Sequence, residues 1–305
     1  MALTMGTMAL TGCGSSGASD SAEASEKETT TETEEATEET TEEAAEETTE
    51  ETTEEAAEET SEEMGPVLSK IKESGKLIVG TASGYPPYEF VDITSVDQTV
   101  IGVDMELAQS IADELGVTLE IQDMTFTALL AAIPAGKVDM AIAGVSPTDE
   151  RRETMDFSDS YLFADQAVII NKTDAEKYKT FDDLKGATLA AQKSTTQEKL
   201  VQELLPDNTL VSLEQVPECI LELKNGKVDG VVIESIVGEQ YILADDTLQF
   251  AEANFDRQKE AAVVFDKGNE DLIEIVNEVI KENQDAGNFE KWVDEYSKIV
   301  VENAQ

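Results

Sequence analysis

From Pro66 onward the chain alternates between short apolar runs and longer stretches in which apolar side chains recur every three or four positions. KLIVGTA (76–82) has the pattern of a buried strand. Residues 102–115 set Val103, Leu107, Ile111 and Leu115 at helical spacing, and Gly116 supplies the stop. VTLEIQ (117–122) then reads as a strand, FTALLAAI (126–133) as a helix and VDMAIAGV (138–145) as a strand. This alternation predicts an α/β fold with a mainly parallel sheet.

An internal echo divides the region in two. LAAIPAGKVDMAIAG (130–144) is answered by LELKNGKVDGVVIE (221–234): each is a helix, a glycine stop, then GKVD leading into a strand. Both strands end five residues after the aspartate, at Gly144 and Glu234. GKLIVGTASGYPPY (75–88) is likewise echoed by KGATLAAQKSTTQEK (185–199). Two similar α/β halves imply two lobes, with ligand bound beyond the carboxyl ends of the strands.

The first 65 residues follow another pattern. Residues 14–65 hold 21 Asp or Glu, one lysine and no aromatic side chain. So little apolar surface under so much like charge cannot offset chain entropy, and a disordered linker is expected. The remaining 240 residues still carry 46 acidic against 20 basic side chains, which repels phosphate backbones and argues against nucleic-acid binding. There is no histidine, so the commonest catalytic base and metal ligand is missing. Cys13 and Cys219 are far apart and of different character, so neither a disulfide nor a metal site is expected, and no cofactor is implied. Cys219 sits in a mixed apolar stretch and reads as a small buried hydrophobe.

Residues 1–13 are apolar and small, ending in Leu10-Thr11-Gly12-Cys13. This resembles the lipobox of a bacterial lipoprotein signal peptide, with Cys13 as the lipidated residue. The basic opening of a signal peptide is missing, as expected if the start is assigned downstream. A diacyl anchor on Cys13 followed by the linker gives a tether of roughly 40 Å. Such reach suits a cell without a periplasm, so a Gram-positive source and the outer face of the cytoplasmic membrane are expected.

Within 66–305, GTASGYPPYEF (80–90), IGVDMELAQSIADELG (101–116), FTALLAAIPAGKVDMAIAGVSPTDERRETMDFSDSY (126–161), AAQKSTTQE (190–198) and KVDGVVIE (227–234) together resemble one family. It is the polar-amino-acid substrate-binding proteins of ABC importers, family 3 of the solute-binding proteins. The resemblance implies the two-lobed type II periplasmic-binding-protein fold, each lobe a mainly parallel sheet with flanking helices, joined by a two-strand hinge. It implies lobes of 66–164 with 259–305, and of 165–258. The sequence departs from the pattern at Ala82, where some relatives that bind basic amino acids carry aspartate, and at Glu234, where aspartate is common.

A free amino acid carries a carboxylate and an ammonium, so its receptor needs a fixed cation and a fixed anion. By the resemblance, Arg151 is the carboxylate clamp, placed by the helix-start sequence Ser146-Pro147-Thr148-Asp149-Glu150. Its neighbour Arg152 is expected on the surface. Glu234, Ser146 and the Gly144 carbonyl are expected at the ammonium. A glutamate ending the apolar run VVI needs a cationic partner in any case. Thr195 and Glu198 form a candidate capping box, and Thr196 is implied to reach the carboxylate from the second lobe. Tyr85 and Phe126 are implied as aromatic walls, with Gln192 and Ala82 facing the ligand side chain. Trp292 is expected to pack on the first lobe.

The implied function is capture of a free polar or basic amino acid by hinge closure and delivery to an ABC permease, by a monomer with no catalytic role. Two other classes are open to the sequence. An enzyme of the same fold, a dehydratase of ring acids, could use Glu234 as an acid, and its product would reveal it. A sensor ectodomain would carry a transmembrane helix, for which no segment is suitable.

Overall fold

A computed structural model describes residues 64–303. The expected leader, Cys13 and nearly all of the acidic linker lie outside the described residues. No helix among the described residues is long and apolar enough to cross a membrane.

The chain enters through α1 (Pro66–Ser74), with Pro66 in its first turn and Gly75 closing it in the left-handed conformation. Then come β1 (Lys76–Thr81), the paired short strands β2 (Phe90–Val91) and β3 (Val100–Ile101), α2 (Val103–Leu115), β4 (Thr118–Asp123) and α3 (Phe126–Ala132). They are followed by β5 (Met140–Ala141), the one-turn α4 (Asp149–Arg152) and the long β6 (Met155–Asn171). The second half holds β7 (Thr188–Gln192), α5 (Thr196–Leu204), β8 (Thr209–Leu213), α6 (Val216–Lys224), β9 (Gly230–Glu234), α7 (Ser235–Ala244) and β10 (Leu248–Phe250). The chain returns through β11 (Gln258–Asp266) to α8 (Glu270–Asp285) and α9 (Asn288–Asn303).

The strands lie in the order β4-β1-β5-β11-β6-β9-β7-β8, with β10 also on β6. Pairing is parallel within β4-β1-β5 and within β9-β7-β8, and antiparallel where β11 and β6 cross between them. β6 changes partner partway along: Met155–Asp165 pair with β11, and Gln166–Ile169 pair with β9. At that change the Gln166 N–H donates to the Arg257 carbonyl (2.8 Å). Two long strands thus connect the halves.

The repeated GKVD motif has one structural job done twice. Asp139 donates its N–H to the Ile78 carbonyl and accepts the Ile78 N–H at Oδ2, both at 2.8 Å, tying β5 to β1. Asp229 does the same to Thr188, at 2.7 and 2.8 Å, tying β9 to β7. Each carboxylate also takes one lysine, Lys70 or Lys177.

One predicted element is shortened. VDMAIAGV forms a strand only at Met140–Ala141. Ile142 still donates to Gly80 (3.0 Å) and the Val145 carbonyl still accepts from Ala262 (2.9 Å). Between them Gly144 turns to φ +52°, which leaves the pleat and lifts the chain into the cleft.

α2 buries Leu107 and Ile111 completely, as its spacing predicts. Trp292 packs edge-on against Phe289, which stacks on Tyr161 of β6. Its helix α9 lies against α2 and α8 of the first half and also reaches α7 of the second. Cys219 is fully buried in α6 with a free thiol, and burial pushes that thiol up to about 12.

Candidate ligand-binding cleft

A narrow cavity lies between the two halves, at the ends of β1, β5, β7 and β11. Ala82, Tyr85, Phe126, Gly144, Ser146 and Arg151 line it from the first half, and Gln192, Thr195 and Thr196 line it from the second. Of the residues expected at a ligand, the structure therefore brings together all but Glu234. Four residues not singled out from the sequence, Glu89, Ala143, Gln197 and Lys259, join the lining.

Arg151 is positioned by the local sequence. The Thr148 hydroxyl caps α4 by accepting the Arg151 N–H (3.3 Å), which fixes the backbone of a helix only one turn long. The guanidinium then donates to the Ser146 carbonyl through Nη1 and, across the cleft, to the Ser194 carbonyl through Nη2, both at 2.9 Å. It lies 5.5 Å from the centre of the Phe126 ring, a cation–π contact. Burial pulls its pKa down to about 10, so it stays charged at neutral pH. Arg152 is exposed, over Phe157.

The facing wall is the first turn of α5. The Thr195 hydroxyl accepts the Glu198 N–H (3.2 Å), as the capping pattern predicts. The reciprocal bond is shifted by one residue: Glu198 Oε2 accepts the N–H of Ser194, not that of Thr195 (2.7 Å). Ser194 sits at φ +65°, an uncommon conformation for a serine, with its carbonyl facing Arg151. Thr196 lies between Gln166 and Gln197, and the Gln192 amide nitrogen donates to the Glu214 carbonyl (3.1 Å).

Glu234 departs from the expected arrangement. It ends β9 as predicted, but it is fully buried and does not line the cavity. The cationic partner that its burial demands is supplied from within the chain: Lys259 Nζ lies 2.5 Å from Glu234 Oε2. The contact is an ion pair by distance but lies off hydrogen-bond direction. Neither Glu234 carboxylate oxygen nor Lys259 Nζ has a well-directed partner among the described residues. Lys259 Nζ also lies 5.1 and 5.6 Å from the ring centres of Tyr85 and Tyr88.

Behind Gly144 lies a pair of buried acids, Asp104 and Glu89. Asp104 accepts the Tyr161 hydroxyl (2.8 Å) and the Gly144 N–H (2.9 Å). Burial raises it to about 6 despite those bonds. Burial and the neighbouring Asp104 hold Glu89 well above the usual carboxylate range. Glu89 Oε2, Ser146 Oγ and Gln197 Nε2 line the cavity or its wall with no hydrogen-bond partner among the described residues. Buried polar atoms are rarely left so, which marks this surface as one that presents donors and acceptors to a ligand.

Two of the residues not singled out from the sequence, Lys259 and Asp104, nonetheless carry a signal there. Lys259 occupies the same alternating positions of β11 as Ala261, Val263 and Phe265, all buried. Asp104 falls on the inward face of α2 beside Ala108 and Ile111.

Residues 77–299 match the family described as bacterial extracellular solute-binding proteins, family 3. The arginine-binding extracellular protein ArtP of Bacillus subtilis is 35% identical over 225 residues, covering 72% of this chain and 86% of that protein. A crystal structure of the amino acid ABC transporter substrate-binding protein AbpA of Streptococcus pneumoniae, bound to L-arginine, superposes with a TM-score of 0.75 at 35% identity. It covers 76% of this chain and 99% of that one. The ancestral amino acid-binding protein AncCDT-1, described as a precursor of cyclohexadienyl dehydratase, gives a TM-score of 0.69 at 30% identity over 75% of this chain and 98% of its own.

Proposed function

The chain belongs to the bacterial extracellular solute-binding proteins of family 3, and from that premise we propose that its cleft binds a free cationic or polar L-amino acid, arginine foremost, for delivery to an ABC permease. The observation that carries the reading is Arg151: a half-buried guanidinium that lines the cavity and donates only to carbonyl oxygens, leaving its positive charge for a ligand carboxylate. Ser146 and Thr196 flank that position. At the other end, Glu89 and Gln192 offer a carboxyl and an amide to a cationic or polar side chain, between Tyr85 and Phe126. The named ligand of ArtP and AbpA supports arginine.

The moving bodies are 66–164 with 259–305, and 165–258. The partner change in β6 at Asp165 and Gln166 supports this division. Ligand gripped by both halves favours the closed arrangement by its extra affinity for it. Arg151 to Ser194, the Thr127 and Ser194 hydroxyls (3.2 Å), and Tyr241 to the Gly84 carbonyl (2.8 Å) are contacts of that kind. The protein acts as a monomeric receptor and not as an enzyme, held to the outer membrane face through Cys13 and the acidic linker. The test is a binding screen of the full chain against the twenty amino acids, after unfolding and refolding to strip carried-over ligand.

A further inference from the structure

Lys259 holds Glu234 across the junction of the two halves, one on β11 and the other at the end of β9. Both side chains are nearly inaccessible, at 5% and 1% exposure. The lysine head faces the cavity that also holds Arg151, and Glu234 lies behind it. A ligand whose carboxylate is taken by Arg151 would therefore bring its α-ammonium up against another ammonium, not against an anion. Lys259 also borders a second, open groove of about 830 Å³, shared with Glu203 and Glu260. That groove also carries Lys199 and Arg257, and Glu260 already accepts the Ser160 hydroxyl (2.8 Å), so what it offers the lysine head is access to solvent. The side chain thus stands between the ligand cavity and a solvent-facing space.

We propose that Lys259 is a specificity-determining residue that acts as a tethered stand-in for the ligand's α-ammonium: it occupies Glu234 until an amino acid displaces it into the adjoining groove. This rests on the amino-acid reading of the cleft. An ammonium from the ligand replaces the lysine at Glu234, so the buried carboxylate is never left without a cation. A compound without the ammonium leaves Lys259 in place and loses nothing at Glu234. The lysine thereby weakens binding of true amino acids and softens their discrimination from desamino analogues.

The test compares the full-length wild type with Lys259→Met, Glu234→Gln and the double variant. Urea denaturation without ligand reads the pair. Lys259→Met leaves a buried carboxylate unpaired and should destabilise, and adding Glu234→Gln should restore much of the loss. Calorimetry with L-arginine and desaminoarginine then reads displacement. Lys259→Met should bind arginine about tenfold more tightly and widen its preference over desaminoarginine by a similar factor. The double variant, stable enough to assay, should lose that preference. Absence of stability coupling would overturn the ion pair. Coupling with unchanged or weaker arginine binding in Lys259→Met would overturn displacement. Failure of the wild type to bind any of the twenty amino acids, with coupling intact, would instead sink the amino-acid reading, and displacement with it.

Discussion

Arg151 donates to the carbonyls of Ser146 and Ser194 and, among the described residues, forms no ion pair with a carboxylate. A half-buried charge so placed is stabilised best by an anion brought in from outside. Arg151→Ala should therefore weaken amino-acid binding by roughly 3–5 kcal/mol, on the order of 10²–10⁴ in affinity, while the fold survives. Calorimetry on the variant, with circular dichroism to verify folding, measures both. Asp104 makes a second prediction at this scale. Folding raises its pKa from 3.8 to about 6, so the folded chain keeps a proton that the unfolded chain has already released. The associated stability is complete below about pH 4 and is lost as pH rises through about 6, on the order of 3 kcal/mol in all. The stability difference between wild type and Asp104→Asn, followed by urea denaturation from pH 4 to 8, should fall across that window. A flat difference would show that Asp104 is not held protonated. Arg151 was legible because a helix-start sequence and a family motif converge on it. Asp104 and Lys259 share the spacing of buried apolar neighbours, but a charge at such a position reads as a surface residue until those neighbours are known to be buried.

At the scale of elements, the GKVD echo is a strand lock. Asp139 ties β5 to β1 with its carboxylate almost wholly enclosed, whereas Asp229 ties β9 to β7 with 35% of its side chain exposed. Asp139→Ala leaves the part-buried Ile78 amide without its acceptor and should cost about 1–3 kcal/mol. Asp229→Ala should cost less, since water can reach the vacated site. Urea denaturation ranks the two, and equal losses would argue against burial as the deciding term. The helices α2 and α3 and the strand β1 were legible to within a residue, because the apolar pattern bounds them and Gly116 ends α2. β5 was not: VDMAIAGV has the composition of an eight-residue strand, and the turn of Gly144 out of the pleat, which interrupts its far end, shows only in the structure.

At the scale of the molecule, two long strands, β6 and β11, carry the chain between two halves built to one plan. That plan was visible in the paired GKVD segments and in the doubled glycine-rich openings. The ion pair at its centre was not, since Lys259 and Glu234 are brought together only by the crossing of β11 beside β9's neighbour β6. The central claim is that the cleft between these halves binds a free amino acid. It is tested most directly by a thermal-shift screen of the refolded full chain against all twenty. Ligand that binds only the folded state raises its stability in proportion to the logarithm of its excess over Kd. Arginine should give a large upward shift, lysine or glutamine smaller ones, and Arg151→Ala should lose all of them. A folded protein that shows no shift with any amino acid would contradict the claim.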